Sequence, residues 1–186
     1  YYDKPLRVKV ETKFSRSFQG GAGYAKCGGN YGGAFYPTYL ANQQGFDQII
    51  WTDASTHQFL EEAGAMNIMV IADGKLLTPP LSSSILDGVT RSSLIQLCGD
   101  LGIFVDERQI RAAELAEALV RDENAEVFGT GTAAVVSPVT SIQIDGVDYH
   151  PYTGDQAVMY RLKNELEEIR RGRKRDTHGW NYLVHI

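Results

Sequence analysis

Gly20-Gly21-Ala22-Gly23-Tyr24-Ala25-Lys26-Cys27-Gly28-Gly29-Asn30-Tyr31-Gly32-Gly33 is the stretch on which the reading of this chain turns. It sets one lysine between two glycine clusters, with a tyrosine five residues further on. Glycine removes the Cβ barrier, so the backbone can bend sharply and approach a ligand closely. A single lysine in such a place is a phosphate contact or a nucleophilic amine. A flexible loop with a surface lysine would suffice to explain an isolated Gly-Gly-x-Gly. Seven glycines in fourteen residues, between a strand-like and a helix-like segment, favour a ligand loop.

The chain has 186 residues, which suits one domain burying roughly 70% of its unfolded surface. Its 43% hydrophobic and 22% charged residues are ordinary for a soluble globular protein. No apolar run approaches the ~20 residues that span a bilayer, and no signal-peptide pattern opens the chain. A net charge of −5 argues against nucleic acid as a partner, since that affinity comes largely from phosphate neutralisation. Cys27 and Cys98 make neither a CxxC pair nor a metal-spaced cluster, which suits a reducing, cytoplasmic setting. His57, His150, His178 and His185 show no ligand-like spacing, so no metal site is expected. The chain begins Tyr1-Tyr2 without an initiator methionine, as a piece of a longer chain would.

Leu6, Val8 and Val10 alternate with charged residues, the period of a half-buried strand. Residues 30–44 read as a helix that Pro37 must kink or open. Ile49–Trp51 and Asn67–Ile71 read as strands, and Asp73-Gly74 is a hairpin signal leading to Lys75–Leu77. Residues 89–101 and 112–120 have helical spacing. Glu126–Phe128 and 133–136 read as strands, and Asp145-Gly146 joins Ile142–Ile144 to Val147–Tyr149. Thr153 and Gln156 form a capping-box pattern before a last helix ending near Arg171. The basic run Arg170–Arg175 fits a solvated helix end that complements the dipole. Mixed strands and helices with two hairpins predict an α+β domain with a mixed sheet. No repeat or linker divides it.

Two phosphate fingerprints fail on inspection. Residues 20–27 lack the second glycine and the hydroxyl of a P-loop, having Ala25 and Cys27 there. Gly129–Ala134 matches G-x-G-x-x-A, but a strand-like run follows it where a dinucleotide site needs a helix. Asp87-Gly-Val-Thr-Arg91 opens a helix, and such a start is either an anion site or a terminus capped by Asp87. Gly131-Thr-Ala133 supplies a second glycine-loosened turn with a hydroxyl. Two phosphate turns and one special lysine suit pyridoxal phosphate, which needs an amine, phosphate donors and a carboxylate for its ring nitrogen. The carboxylate candidate lies at Glu61-Glu62, adjacent residues that strand alternation sends to opposite faces. On pattern alone, both are expected to be exposed.

Four motifs now combine. Lys26-x-Gly-Gly-Asn30-Tyr31-Gly, Glu62-x-Gly-x-Met-Asn67, Gly88-Val-Thr-Arg91 and Phe128-Gly-Thr-Gly-Thr-Ala133 stand in an order and spacing that resembles branched-chain aminotransferases, of the fold-type IV class of pyridoxal-phosphate enzymes. Thr78-Pro-Pro80 and Gly179-Trp180 are similar too, so the resemblance covers essentially the whole chain. It implies the pseudobarrel-like large domain of that class, a cofactor-binding domain over residues 1–186. An N-terminal domain that supplies an arginine to the phosphate would lie outside this chain.

The resemblance also implies roles. Lys26 would form the internal aldimine with pyridoxal 5′-phosphate and afterwards carry the proton between Cα and the cofactor. Tyr31 would hydrogen-bond the phenolic oxygen, Glu62 would pair with the ring nitrogen, and Arg16 would lie close by. Val89, Thr90 and Thr132 would hold the phosphate. Backbone N–H groups near Ala65 and Ala133 would receive the substrate carboxylate. The activity implied is transfer of an amino group from leucine, isoleucine or valine to 2-oxoglutarate, by a homodimer when intact. D-amino-acid aminotransferase and aminodeoxychorismate lyase are the rivals within the class, and a non-catalytic folded or dimerising fragment is the rival outside it. Departures from the pattern are Asp87 for a common proline, Ala65 for a hydroxyl residue, and Ala134 with Ser137 where mammalian relatives carry a CxxC redox pair.

Overall fold

The structure is a computed structural model that describes residues 4–133, 135–182 and 184; Ala134 and His185 lie outside the described residues. The N-terminal strand β1 (Leu6–Val10) buries Leu6, Val8 and Val10 in alternation, as its period requires. The glycine-rich loop then leads into α1 (Gly29–Gln43). Pro37 sits inside this helix and is buried, so it interrupts one backbone bond without ending the helix. Next come β2 (Gln48–Thr52), β3 (Leu60–Ala63), β4 (Met66–Ala72) and β5 (Lys75–Thr78). Asp73 and Gly74 both have positive φ, 50° and 72°, the tight hairpin geometry their sequence called for. Helix α2 (Val89–Asp100), strand β6 (Phe104–Glu107) and helix α3 (Ala112–Arg121) follow. Strands β7 (Glu126–Gly131), β8 (Val135–Ile144) and β9 (Val147–Tyr149) precede the final helix α4 (Val158–Arg170).

The sheet runs β3-β2-β1-β8-β7-β4-β5-β6, with β9 on β8 and a further pairing of β3 with β4. That last pairing closes six strands, β1, β2, β3, β4, β7 and β8, into a ring. Strands β1 and β2 are parallel, as are β1 and β8, while β4 and β7 are antiparallel. The expected α+β class with a mixed, barrel-like sheet therefore holds. Alternation sorts the side chains of β4 between two cores. Ile68, Val70 and Ala72 join a cluster with β1 and α3, whereas Met69 and Ile71 pack with α2 and α4. Strand β2 sends Ile50 to the first cluster, and sends Ile49 and Trp51 to a third with Ala41 of α1.

Two local expectations are corrected, and one element had no expectation. Asp87 does not cap α2, because Gly88 occupies the N-cap and no side chain bonds there. Thr153 and Gln156 do not cap α4 either. Glu126 does so from β7, its two carboxyl oxygens accepting from the backbone N–H groups of Val158 at 2.6 Å and Met159 at 2.9 Å. Strand β6 carries no clear sequence signal. Its Phe104 is exposed, so its place comes from parallel pairing with β5 rather than from an apolar pattern. The basic run behaves as expected, with Arg170 and Arg171 on Glu167 at 2.9 and 3.2 Å and Lys174 on Glu165.

Since Glu126 ties the start of α4 to the sheet, Glu126→Ala should strand two N–H groups and lower the unfolding free energy by about 1–3 kcal/mol. Urea denaturation measures it, and an unchanged midpoint would mean that the helix start is stabilised by other contacts.

Candidate functional site

A cavity of about 340 Å³ lies between the glycine-rich loop, one side of α1 from Asn30 to Asn42, and the β3–β4 turn. Arg16, Lys26, Tyr31, Glu62 and Ala65 all line it. The loop needs its glycine at Gly23, where a Cβ would come within 2.6 Å of the Ser84 backbone. That close approach brings the loop against the 82–86 segment. Asn30 then donates its side-chain N–H to Ala22 O and Ala25 O, both at 2.8 Å, and folds the lysine's neighbourhood back onto α1.

Glu62 is the electrostatic centre of this wall. Its Oε2 meets Arg16 Nη2 at 2.7 Å, with both side chains nearly enclosed. Its Oε1 accepts from Leu86 N–H at 2.8 Å and from Asn67 Nδ2 at 3.5 Å, and Asn67 also donates to Leu86 O. Arg16 in turn donates to Ser84 O at 2.5 Å. Burial pushes the Glu62 carboxyl up to about 7, against the pull of Arg16 and the Leu86 N–H, and Glu61 adds to the rise while Lys26 opposes it.

Both glutamates are buried, contrary to the exposure expected of them. The cause is a change of register. Ile50 pairs with Ala63 and Thr52 with Leu60, so Trp51 alone faces Glu61 and Glu62. Such a bulge breaks strand alternation and re-aims side chains. Glu61 accordingly turns to the 82–86 segment, where Ser84 Oγ donates to its Oε1 at 2.5 Å.

A second cavity of about 530 Å³ adjoins the start of α2 and is lined by Val89, Thr90, Thr132, Arg170 and Trp180, with Asp87 at its edge. Leu86 borders the first cavity and Asp87 the second, so one short segment has the two on its flanks. The uncapped first turn of α2 leaves backbone N–H groups free for an anion. Thr132 lies in the turn before β8, which is held by Thr130 Oγ1 donating to Val135 O at 2.7 Å. Val135 has φ 60°, a strained backbone for a β-branched residue. Ala133 is exposed in that turn and borders neither cavity.

Known proteins match this architecture. Residues 2–142 match the family described as amino-transferase class IV. The chain belongs to that family. Among curated relatives, it is similar to a probable branched-chain-amino-acid aminotransferase of Staphylococcus aureus (strain N315), 39% identical over 97% of this chain and 51% of the relative. The branched-chain-amino-acid transaminase 1 of Bacillus subtilis (strain 168) is 41% identical over the same shares. The chain thus spans about half the length of the curated relatives it matches. Among solved structures, the branched-chain amino acid aminotransferase from Escherichia coli superposes with a TM-score of 0.79 at 30% identity, covering 95% of this chain and 56% of that one.

The sequence alone did not reveal Leu86 or Arg170 as lining these cavities, nor Asn67 and Ser84 as the partners of Glu62 and Glu61. Arg170 lies eighty residues from Thr90 in the chain, and no local pattern ties the two. No helix among the described residues is long and apolar enough to cross a membrane.

Two adjacent buried carboxyls titrate as a pair, and burial raises both above the ordinary range. A carboxyl whose folded pKa is raised contributes stability below its unfolded value, and that contribution is lost as pH rises through the folded one. Denaturation between pH 4.5 and 7.5 should therefore show the native chain losing about 2–3 kcal/mol relative to a Glu61→Gln/Glu62→Gln double variant. Parallel curves would mean that the pair holds no extra proton.

Proposed function

We propose that this chain is the cofactor-binding domain of a pyridoxal-phosphate-dependent aminotransferase acting on leucine, isoleucine and valine, with 2-oxoglutarate as amino acceptor. The observation that carries this is the meeting of Lys26, Tyr31, Arg16 and Glu62 around one cavity, beside the uncapped start of α2. The donor set fits the cofactor: an amine for its aldehyde, an acid for its ring nitrogen, a phenol, and free N–H groups for its phosphate. Two related structures bear on the fit. Both are of one branched-chain amino acid aminotransferase, solved with pyridoxamine 5′-phosphate (29% identity, TM-score 0.79, 95% of this chain and 54% of that one) and with N-(5′-phosphopyridoxyl)-L-glutamate.

Pyridoxal phosphate, when bound, supplies an aldehyde that condenses with an amine and a ring that draws electron density from the substrate's Cα. The residues supply the rest. Lys26 carries the reactive amine and, once free again, takes a proton from the substrate's Cα and returns it on the cofactor side. Glu62, held by Arg16 and Leu86 N–H, keeps a proton on the ring nitrogen by placing a negative charge beside it. Tyr31 orients the ring through its hydroxyl. Val89, Thr90 and Thr132 receive the phosphate, and Arg170 adds a cation to that cavity while Asp87 opposes it. Ala65 offers backbone N–H to the substrate carboxylate at the cavity rim, whereas the same role for Ala133, which borders neither cavity, rests on the resemblance alone. The amino acids, their 2-oxo acids and a second copy of the chain are the partners, in the cytoplasm.

Borohydride reduction of the chain with pyridoxal phosphate, followed by peptide mass spectrometry, should place the adduct on Lys26, and Lys26→Ala should remove it. An adduct spread over the other lysines would contradict the assignment. Turnover of leucine but not D-alanine separates this reading from a D-amino-acid aminotransferase.

A further inference from the structure

Glu61 has no task in holding the ring or the phosphate, yet its carboxyl is buried beside the groups that do. The residue is only 9% exposed. Its Oε1 has the Ser84 hydroxyl, but its Oε2 is enclosed without any partner. Glu62, one residue on, has Arg16 and two N–H donors. The guanidinium pairs with Glu62 alone, leaving Glu61 without a cationic partner, and its own Nε is enclosed and unpartnered as well.

An ionised carboxylate with a bare oxygen away from water is far costlier than a neutral carboxyl with a vacant carbonyl-type acceptor. The negative charge therefore belongs on Glu62 and the proton on Glu61, so that with Arg16 the cluster is neutral. A protonated ring nitrogen set against Glu62 upsets that balance by bringing a second cation. We propose that Glu61 is the reserve counter-ion of the site, neutral in the empty cavity and ionised when a pyridinium ring is seated at Glu62. This rests on the reading that the ring nitrogen lies at Glu62. In the neutral state the acid proton sits on Oε1, and the Ser84 hydroxyl turns to accept it while donating to Ser82 Oγ at 2.9 Å. On ionisation one proton passes along these hydroxyls to water at the exposed Ser82, and Ser84 turns back to donate to the Glu61 carboxylate. The ring keeps its own proton, so one proton is released for each ring bound.

Burial raises both carboxyls, Glu62 to about 7, and it is the Arg16 ion pair and the Leu86 N–H, which Glu61 lacks, that favour the charge on Glu62. Burial is the largest influence on Glu61 and raises it; Ser84 and Arg16 oppose, and Asp53 adds to the rise. Lys26 acts on Glu62 from across the cavity. A ring cation at Glu62 would add to the Arg16 influence and draw the proton off. Glu61 is a positioning residue in this scheme, acting through Glu62 on the cofactor.

The test is a carboxyl-carbon NMR titration of the whole chain labelled with ¹³C at the glutamate side chains, assigned through the backbone. Pyridoxamine 5′-phosphate is the probe, because it carries the ring nitrogen but no aldehyde and so does not depend on Lys26. At pH 7 the Glu61 signal should be that of a neutral acid in the free chain. It should become that of a carboxylate with the probe bound, and should not move with inorganic phosphate. Glu61→Gln, which cannot ionise, should bind the probe roughly tenfold more weakly while keeping its thermal midpoint. A Glu61 signal that stays neutral while the Glu62 signal responds would overturn the inference and leave the ring at Glu62. Probe binding that moves neither signal would overturn both.

Discussion

The buried pair of Arg16 and Glu62 is the interaction on which the rest of the site depends. Two charges out of water are expensive, and their attraction offsets that cost only where further hydrogen bonds satisfy the remaining atoms. Here the partners come from distant parts of the chain. Arg16 precedes the glycine-rich loop, Glu62 lies in β3, and Leu86 N–H and Ser84 O come from the segment before α2. The pair thus ties the lysine loop, the sheet and the start of α2 to one point. Removing either charge would leave the other buried without its counter-charge, so the site has a structural reason to stay assembled.

The sheet makes that convergence possible. Closing six strands into a ring leaves no free edge between β3 and β4, and the turn between them carries Ala65 to the cavity rim. The bulge opposite Trp51 then buries two adjacent acids where regular alternation would bury only one, Glu62 in the cavity wall and Glu61 behind it on Ser84. The same frame explains the division of labour between the cavities. Charged and reactive groups gather at the barrel side, while the helix start with its free N–H groups faces the other side of residues 86–88.

Much of this was legible in the sequence, and the parts that were not share a cause. The period of β1, the Asp-Gly turns at 73–74 and 145–146, and the helices at α2 and α3 are written in neighbouring residues. The capping of α4 is not, because Glu126 comes from a strand more than thirty residues earlier and displaces the local Thr153–Gln156 pattern. The burial of Glu61 was equally illegible, since it follows from a register slip between β2 and β3 that no single segment encodes. The gathering of Lys26, Tyr31 and Glu62 came from motif order and resemblance. Periodicity alone could place them on elements but not around one cavity.

The central claim is that Glu62, held by Arg16, keeps the ring nitrogen of a bound cofactor protonated. It is tested most directly by nitrogen NMR of pyridoxal phosphate labelled with ¹⁵N in the ring and bound to this chain. The account predicts a pyridinium signal that persists well above neutral pH in the native chain and gives way to an unprotonated one in Glu62→Gln. A ring nitrogen that is unprotonated in the native chain, or that titrates identically in both, would contradict it.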